Sequence, residues 1–299
     1  MRETRDGTTP PITLEKALAL FLDSLSGKNR SQATIRAYQT DLLQFLRFLH
    51  DTSVLMAFPK DVREVDVIDY FSFLAKKDLT GVARARKLSA IREYFRFLEG
   101  LGLITKSPTV GVETPKRERN TRQFLRSDEY TKMLSLAGAN PRDYAILQVF
   151  LQTGIRVSEL AHLRRNDIDL LKPSLTVAGK GKVAREIALE KKGMQALKSY
   201  LSVRPDSLSE RLFLNYKGEP ISERGIRKLV VKYTKAAGIT KKASCHTLRH
   251  TFATYKAEKG VSPFQLQQWL GHANLNTTQI YVHLGKQNAK KLMEQTSLT

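Results

Sequence analysis

The sequence is poor in cysteine, in tryptophan and in acid. Of its 299 residues one is cysteine, Cys245, and one is tryptophan, Trp269. A single thiol closes no disulfide within the chain and builds no cysteine-based metal cluster. The expected compartment is a reducing cytoplasm. No stretch approaches the roughly 18 uncharged apolar residues of a membrane span, so no membrane partner is expected. The first residues, MRETRDGTTPPITLEKALALFLDSL, hold an apolar run broken by Glu15, Lys16 and Asp23, with no small-residue cleavage site, and do not read as a signal peptide. Acid is the most telling shortage: 29 Asp and Glu stand against 50 Lys and Arg, a formal net charge of +21. The excess is dispersed along the chain. A dispersed positive field on a folded protein favours a polyanion, nucleic acid before membrane.

What is present suffices for real cores. The apolar fraction is 41% and the length suggests two domains. Leu14, Leu18, Phe21, Leu22 and Leu25 share one face of a helix predicted over 12–25, which Thr13 caps. Ile35, Tyr38, Leu42, Phe45, Leu46 and Leu49 repeat the pattern in SQATIRAYQTDLLQFLRFLHD. A third helix is predicted over 64–76 and a fourth in ARARKLSAIREYFRFLEGLG, ended by Gly100 and Gly102. Four helices on short connections predict an all-α unit near 12–104. Their polar faces carry Lys28, Arg30, Arg36, Arg84, Arg86, Lys87 and Arg92, with no acid beside the 84–87 group until Glu93. A solvated face is the ordinary fate of such cations; the clustering favours helices lying against phosphates.

KSPTVGVETPKRERNTRQFLRSDEY follows, with two prolines, no apolar period, and Lys116, Arg117, Arg119, Arg122 and Arg126. It reads as an extended basic linker, with Ser127 capping the next helix. Beyond it the pattern is mostly helical with one β interruption. Runs at 174–178 and 183–189, joined by Gly179-Lys180-Gly181-Lys182, predict a hairpin, and RLFLNY suggests a third strand. The predicted fold class is mainly α with a small antiparallel sheet.

The candidate chemistry lies in this second part. In TGIRVSEL, Gly154 ends one helix, Arg156 sits in the junction and Glu159 follows three residues on, placed to hold a guanidinium. In HTLRHTFAT, His246 and Arg249 share a helical face. His246 and His250 have metal-pair spacing, but no carboxylate follows, so no metal is expected. SPFQLQQWLGH is a helix capped by Ser262, with Pro263 first and Gly271 last, followed by His272 and then Tyr281. Tyr255 is the rival tyrosine and reads as a packing residue. Each motif alone is commonplace.

In series, TGIRVSEL, GKGKVAREI, HTLRHTFAT, LGH and TTQIYVH resemble the motif series of the tyrosine recombinases of the integrase family, of Xer type. The resemblance covers nearly the whole chain. It implies a helical, SAM-like core-binding domain over 1–107, a basic linker over 108–126, and a catalytic domain over 127–299 ending in a tail helix that docks on a neighbouring subunit. It implies Tyr281 as nucleophile, Arg156 and Arg249 as clamps on the phosphate, His246 as general base, Lys180 as proton donor to the leaving oxygen, His272 as a phosphate contact and Glu159 as support. It implies DNA-binding roles for Lys28, Arg30, Arg36, Arg84, Arg86, Lys87, Arg92, Lys116, Arg117 and Arg119. No cofactor follows from it, neither metal nor ATP; GKGK is too short to cradle a triphosphate. The implied partners are duplex recombination sites, with a homotetramer on two sites or a heterotetramer with a paralogue, at the nucleoid in the cytoplasm. The short stretch before the first helix leaves no room for an extra arm-site domain, which favours dimer resolution or a small mobile element. Two alternatives remain open on sequence: a type IB topoisomerase-like nicking-closing enzyme, and a DNA-binding module without chemistry.

Overall fold

The computed structural model describes residues 12–28, 30–52, 57–116, 123–178 and 184–271. The chain divides into two units between Asn120 and Thr121. The first holds four helices: α1 (Leu14–Gly27), α2 (Gln32–Thr52), α3 (Glu64–Lys76) and α4 (Gly81–Gly100). Local chemistry sets their ends. Thr13 Oγ1 accepts the Lys16 amide at 3.3 Å and Thr80 Oγ1 accepts the Ala83 amide at 3.3 Å, satisfying N–H groups that a helix leaves unpaired. The predicted apolar stripes turn inward, and Phe21, Phe45, Tyr70, Leu88, Tyr94 and Phe95 are buried together. Each such side chain contributes about 1.5–3 kcal/mol on leaving water. Edge-to-face contacts, such as Phe45 on Tyr70 at 5.1 Å, orient the rings.

Inside this unit Lys87 departs from expectation. It does not lie on the open polar face: its side chain is 6% exposed and its Nζ lies 2.8 Å from Asp41 Oδ1 on α2. It also donates to Gln44. Asp41 in turn accepts two bonds from Arg86. The acid that seemed absent from the 84–87 group comes from another helix. Arg92 donates to the carbonyl of Val112 and to Thr114 Oγ1. Arg30 stands 4.0 Å from Glu93. Lys28, Arg36 and Lys116 are exposed and Arg84 is half-buried, whereas Arg117 and Arg119 lie outside the described residues. The stretch expected as a linker is packed at both ends, with Val112 in the helical core and Leu125 in the core of the second unit.

The second unit holds α5 (Ser127–Ala137), α6 (Pro141–Thr153), α7 (Val157–His162), β1 (Ile168–Asp169), β2 (Ser174–Ala178), β3 (Ala184–Ala188), α8 (Lys191–Leu201), α9 (Glu223–Ala236), α10 (Cys245–Glu258) and α11 (Pro263–Leu270). Ser127 does not cap α5. It is the first helical residue, and the amide of Arg126 before it donates to Glu129 Oε2 at 2.7 Å. α6 is buried along most of its length and packs against α5, α8 and α10. The sheet runs β1-β2-β3, antiparallel throughout, with Leu175 opposite Ile187 and Val177 opposite Arg185. The hairpin forms as expected, but its third strand is Ile168–Asp169, not RLFLNY. Leu212, Phe213 and Leu214 are buried, and this segment makes only single bridges, Arg211 with Arg164 and Leu214 with Pro220. Backbone bonds from Leu212 to Leu163 at 2.8 Å and from Ile221 to Phe213 at 3.1 Å anchor it, Tyr200 stacks on Phe213 at 5.3 Å, and the Tyr200 hydroxyl accepts the Leu214 amide at 3.1 Å. Among the described residues no helix is long and apolar enough to cross a membrane.

Candidate active site

Four elements of the second unit bring the candidate residues together. α6 ends at Gly154, which adopts φ 59°, a left-handed conformation that glycine takes at little steric cost. That turn leads at once into α7. Arg156 is the residue before α7, and its amide donates to Glu159 Oε2 at 2.7 Å. Its guanidinium meets the same carboxylate, Nη1 to Oε1 at 2.8 Å. The i,i+3 pair read from sequence therefore forms, and also closes the start of the helix.

Arg249 reaches the same place from α10. Its Nη1 donates to the carbonyl of Gly154 at 2.7 Å and its Nη2 to the carbonyl of Leu270 at 2.8 Å. Arg156 Nη2 donates to the next carbonyl, that of Gly271, at 2.8 Å. Two guanidiniums are thus anchored on consecutive carbonyls at the end of α11. Helix ends leave such oxygens unpaired and carry the negative end of the helix dipole, so they suit cations.

His246, three residues before Arg249, keeps an exposed face. Partial burial first, then the charges of Arg249, Arg227 and Arg156, draw its pKa below the ordinary histidine value. These neighbours favour the neutral ring, the form in which an imidazole takes up a proton. The Glu159 carboxylate is under opposing influences. Burial raises its pKa, but hydrogen bonds from Arg185 and from the Arg156 amide, with the charge of Arg185, hold it below the usual range. It stays ionised at neutral pH.

Arg185 was not singled out from the sequence. It projects from β3, and its Nη1 and Nη2 grip Glu159 Oε1 and Oε2 at 3.2 and 2.9 Å. Its Nε donates to the carbonyl of Trp269 at 2.9 Å. The signal was present: in a strand that alternates, Arg185 shares its face with buried Ile187. An arginine on a buried face requires a partner. Tyr255, read as packing, is 44% exposed. Lys180, His272 and Tyr281 lie outside the described residues, as does the tail.

Arg156, Glu159, His246 and Arg249 therefore converge, and their chemistry suits an anionic, tetrahedral or bipyramidal group held by guanidiniums beside a neutral imidazole. Comparison with known proteins defines the class. Residues 123–288 match the model of the phage integrase family, and residues 18–100 match the N-terminal SAM-like domain of phage integrases. Tyrosine recombinase XerC of Thermodesulfovibrio yellowstonii is 37% identical over 269 residues, 86% of this chain and 87% of its own. Tyrosine recombinase XerD of Listeria innocua is 33% identical, over 90% of this chain and 93% of its own. The fold is shared with a lambda integrase tetramer bound to a Holliday junction, at a TM-score of 0.76 and 21% identity, over 92% of this chain and 78% of that one. The class is that of the tyrosine recombinases, enzymes of DNA cleavage and rejoining. The chain belongs to the phage integrase family, and its similarity to XerC and XerD runs through both of its units.

Proposed function

We propose that this chain is a site-specific recombinase whose nucleophile is Tyr281. One observation supports the reading above all: the guanidiniums of Arg156 and Arg249 rest on the adjacent carbonyls of Gly271 and Leu270, beside His246. Arg156 commits one N–H of Nη1 to Glu159 and one of Nη2 to Gly271; Nε and the second hydrogen of each Nη have no partner among the described residues. Those hydrogens can meet the non-bridging oxygens of a phosphodiester as negative charge builds on them.

In the proposed reaction the Tyr281 phenol loses its proton to His246 and attacks phosphorus. The bond from phosphorus to the 5′-oxygen breaks, and Lys180 supplies that oxygen with a proton. A 3′-phosphotyrosyl enzyme and a free 5′-hydroxyl result. The phosphoester energy is kept in the tyrosyl linkage, so rejoining needs no ATP, and the guanidiniums offset the negative charge that a metal ion would otherwise neutralise. His272 donates to a phosphate oxygen. Glu159 holds Arg156. The exposed cations Lys28, Arg36 and Lys116, with Arg30, Arg84, Arg86, Arg92, Arg117 and Arg119, are proposed to line the path of the DNA backbone. Lys87 is buried against Asp41, so it belongs with the support of Arg86. The proposed assembly is four protomers on two duplex sites exchanging strands through a four-way junction, either as a homotetramer or with a paralogue. The similarity to named XerC and XerD recombinases supports this reading, with dimer resolution or movement of a small element as its outcome.

The test is covalent capture. In a duplex nicked just 3′ of the cleavage point, the short fragment that carries the new 5′-hydroxyl diffuses away, and the protein–DNA adduct is trapped. The wild-type chain forms the adduct, and Tyr281→Phe binds the duplex with unchanged affinity and forms none. Adduct formation by Tyr281→Phe refutes the assignment of the nucleophile. Absence of adduct from the wild type on its own flanking DNA refutes the enzymatic reading.

A further inference from the structure

Glu159 accepts four hydrogen bonds. Its Oε1 receives Arg156 Nη1 and Arg185 Nη1, and its Oε2 receives the Arg156 amide and Arg185 Nη2. The carboxylate is 9% exposed and the Arg185 side chain 14%. Arg185 differs from Arg156, whose side chain is more open and whose Nε has no partner among the described residues. All three guanidinium nitrogens of Arg185 donate to the protein, both Nη to Glu159 and Nε to the Trp269 carbonyl. It is also closely fitted: a Cβ added at Gly271 would stand 2.9 Å from its Nη1.

Three successive carbonyls at the end of α11 therefore each hold a different guanidinium: Trp269 holds Arg185, Leu270 holds Arg249 and Gly271 holds Arg156. Glu159 ties the first of these to the third. The charge count gives this tie a purpose. Arg156 and Glu159 alone form a neutral pair, which would offer an incoming phosphate a guanidinium already compensated. With Arg185 on the far side, the group carries one net positive charge, and Glu159 divides its attraction between two cations.

We infer that Arg185 is a positioning residue for the cleavage reaction, acting through Glu159 to aim the Arg156 guanidinium and to leave its charge for the scissile phosphate. This rests on the recombinase reading above and deepens it. Arg185 is not assigned any contact with DNA. Its loss should slow the chemical step and leave DNA affinity nearly as it was, a split that simple unfolding does not produce.

The experiment uses the full chain and the nicked trapping duplex, at protein concentrations that saturate the DNA. The rate constant of adduct formation, its amplitude, and the Kd for DNA are measured separately. Arg185→Gln is expected to lower the rate constant about 30- to 100-fold, as for a catalytic group displaced by about an ångström. Its Kd is expected to stay within about threefold, since phosphate contacts set that affinity. Arg185→Lys keeps the charge and loses the fork, and is expected to recover part of the rate. The decisive variant is Glu159→Gln combined with Arg185→Gln. If Arg185 works through Glu159, the double variant is no slower than the slower single one.

Rate losses that multiply in the double variant overturn the inference, because Arg185 would then act on its own. So does an Arg185→Gln rate constant within threefold of wild type, with only amplitude and thermal stability reduced; that pattern marks a purely structural role. Either result leaves the recombinase reading intact, provided the wild type forms adduct. Failure of the wild type to form any adduct refutes that reading, and this inference with it.

Discussion

Gly154 offers the sharpest test of how the site is built, because its turn does two jobs. It ends α6 in a left-handed conformation, φ 59°, and its carbonyl receives Arg249 Nη1 at 2.7 Å. Alanine in that conformation costs about 1–2 kcal/mol. The new methyl also has nowhere to go: it would stand 2.9 Å from Leu270 Cδ2 and closer still to the Phe252 ring. Forcing a methyl into packed side chains costs about 1–3 kcal/mol more. Gly154→Ala is therefore expected to destabilise the second unit by roughly 2–5 kcal/mol, the sum of the backbone and packing terms. Gly238→Ala is the control. Its φ is 72°, so it bears the same strain, but the nearest atom to an added Cβ is Lys132 Nζ at 3.9 Å. Trp269 is the sole tryptophan and lies in the second unit, so its fluorescence follows the melting of that unit. For a unit of this size each kcal/mol shifts Tm by about 2–4 °C. The expected losses are about 2–8 °C for Gly238→Ala and about 4–20 °C for Gly154→Ala, on the same conversion. Below its Tm, Gly154→Ala is also expected to form adduct more slowly, since the Arg249 anchor moves with the turn. Equal Tm losses for the two variants would refute the packing term. Full adduct rate in a clearly destabilised Gly154→Ala would refute the link between this turn and Arg249.

Two further outcomes test the electrostatics. As a base, His246 works only when neutral, so the adduct rate rises with pH through its pKa; neighbours that lower that pKa place the acid limb below the ordinary value of about 6.5. Arg227→Gln removes one of the lowering charges and should move the limb to higher pH; an unmoved limb removes His246 or Arg227 from the scheme. In the helical unit, Asp41→Asn strands buried Lys87 without its carboxylate and should cost about 3–5 kcal/mol in urea unfolding, whereas Lys87→Met leaves Asp41 with Arg86 and should cost clearly less. Equal costs would mean that the buried pair is not what holds α2 to α4.

The helices were legible because their signals are local. Apolar spacing, a capping Thr13 or Ser262, and a terminal Gly154 or Gly271 lie within a few residues of what they determine. One misreading was local, the Ser127 cap that the Arg126–Glu129 bond replaces; the others were non-local. Lys87 was read as a cation on an open face, lying against phosphates, because Asp41, its partner, is 46 residues away on another helix. RLFLNY looked like a strand because three buried apolar residues in extended chain carry the same pattern whether or not a ladder forms beside them. The true third strand is two residues long, too short to show any period. Arg156, Glu159, His246 and Arg249 were singled out because their motifs, each commonplace alone, stand in the order of a known family, and the fold brings the four side chains to one place. Arg185 sat inside a quoted motif and went unremarked, since only the fold shows that it meets a carboxylate 26 residues back.

The end of α11 explains why so many arginines gather without repelling one another apart. Three guanidiniums and one carboxylate leave two net positive charges in a partly buried space. Uncompensated, that would be costly. The carbonyls of Trp269, Leu270, Gly271 and Gly154, all at or near helix C-termini, supply the balancing negative potential. A compensation built from backbone oxygens has a consequence that acidic side chains would not share. The oxygens stabilise the arginines in place but remain neutral groups, so they leave the field outside the cluster positive. An arriving phosphate then meets guanidiniums that are fixed in direction and still charged, and the reorganisation that solvent would require has been completed in folding. On this account α11 matters more than its eight residues suggest. It packs through Leu266 and Leu270 onto Phe252, Ala253 and Ala257 of α10, and any change that shifts this small cluster moves the carbonyls and all three arginines with them.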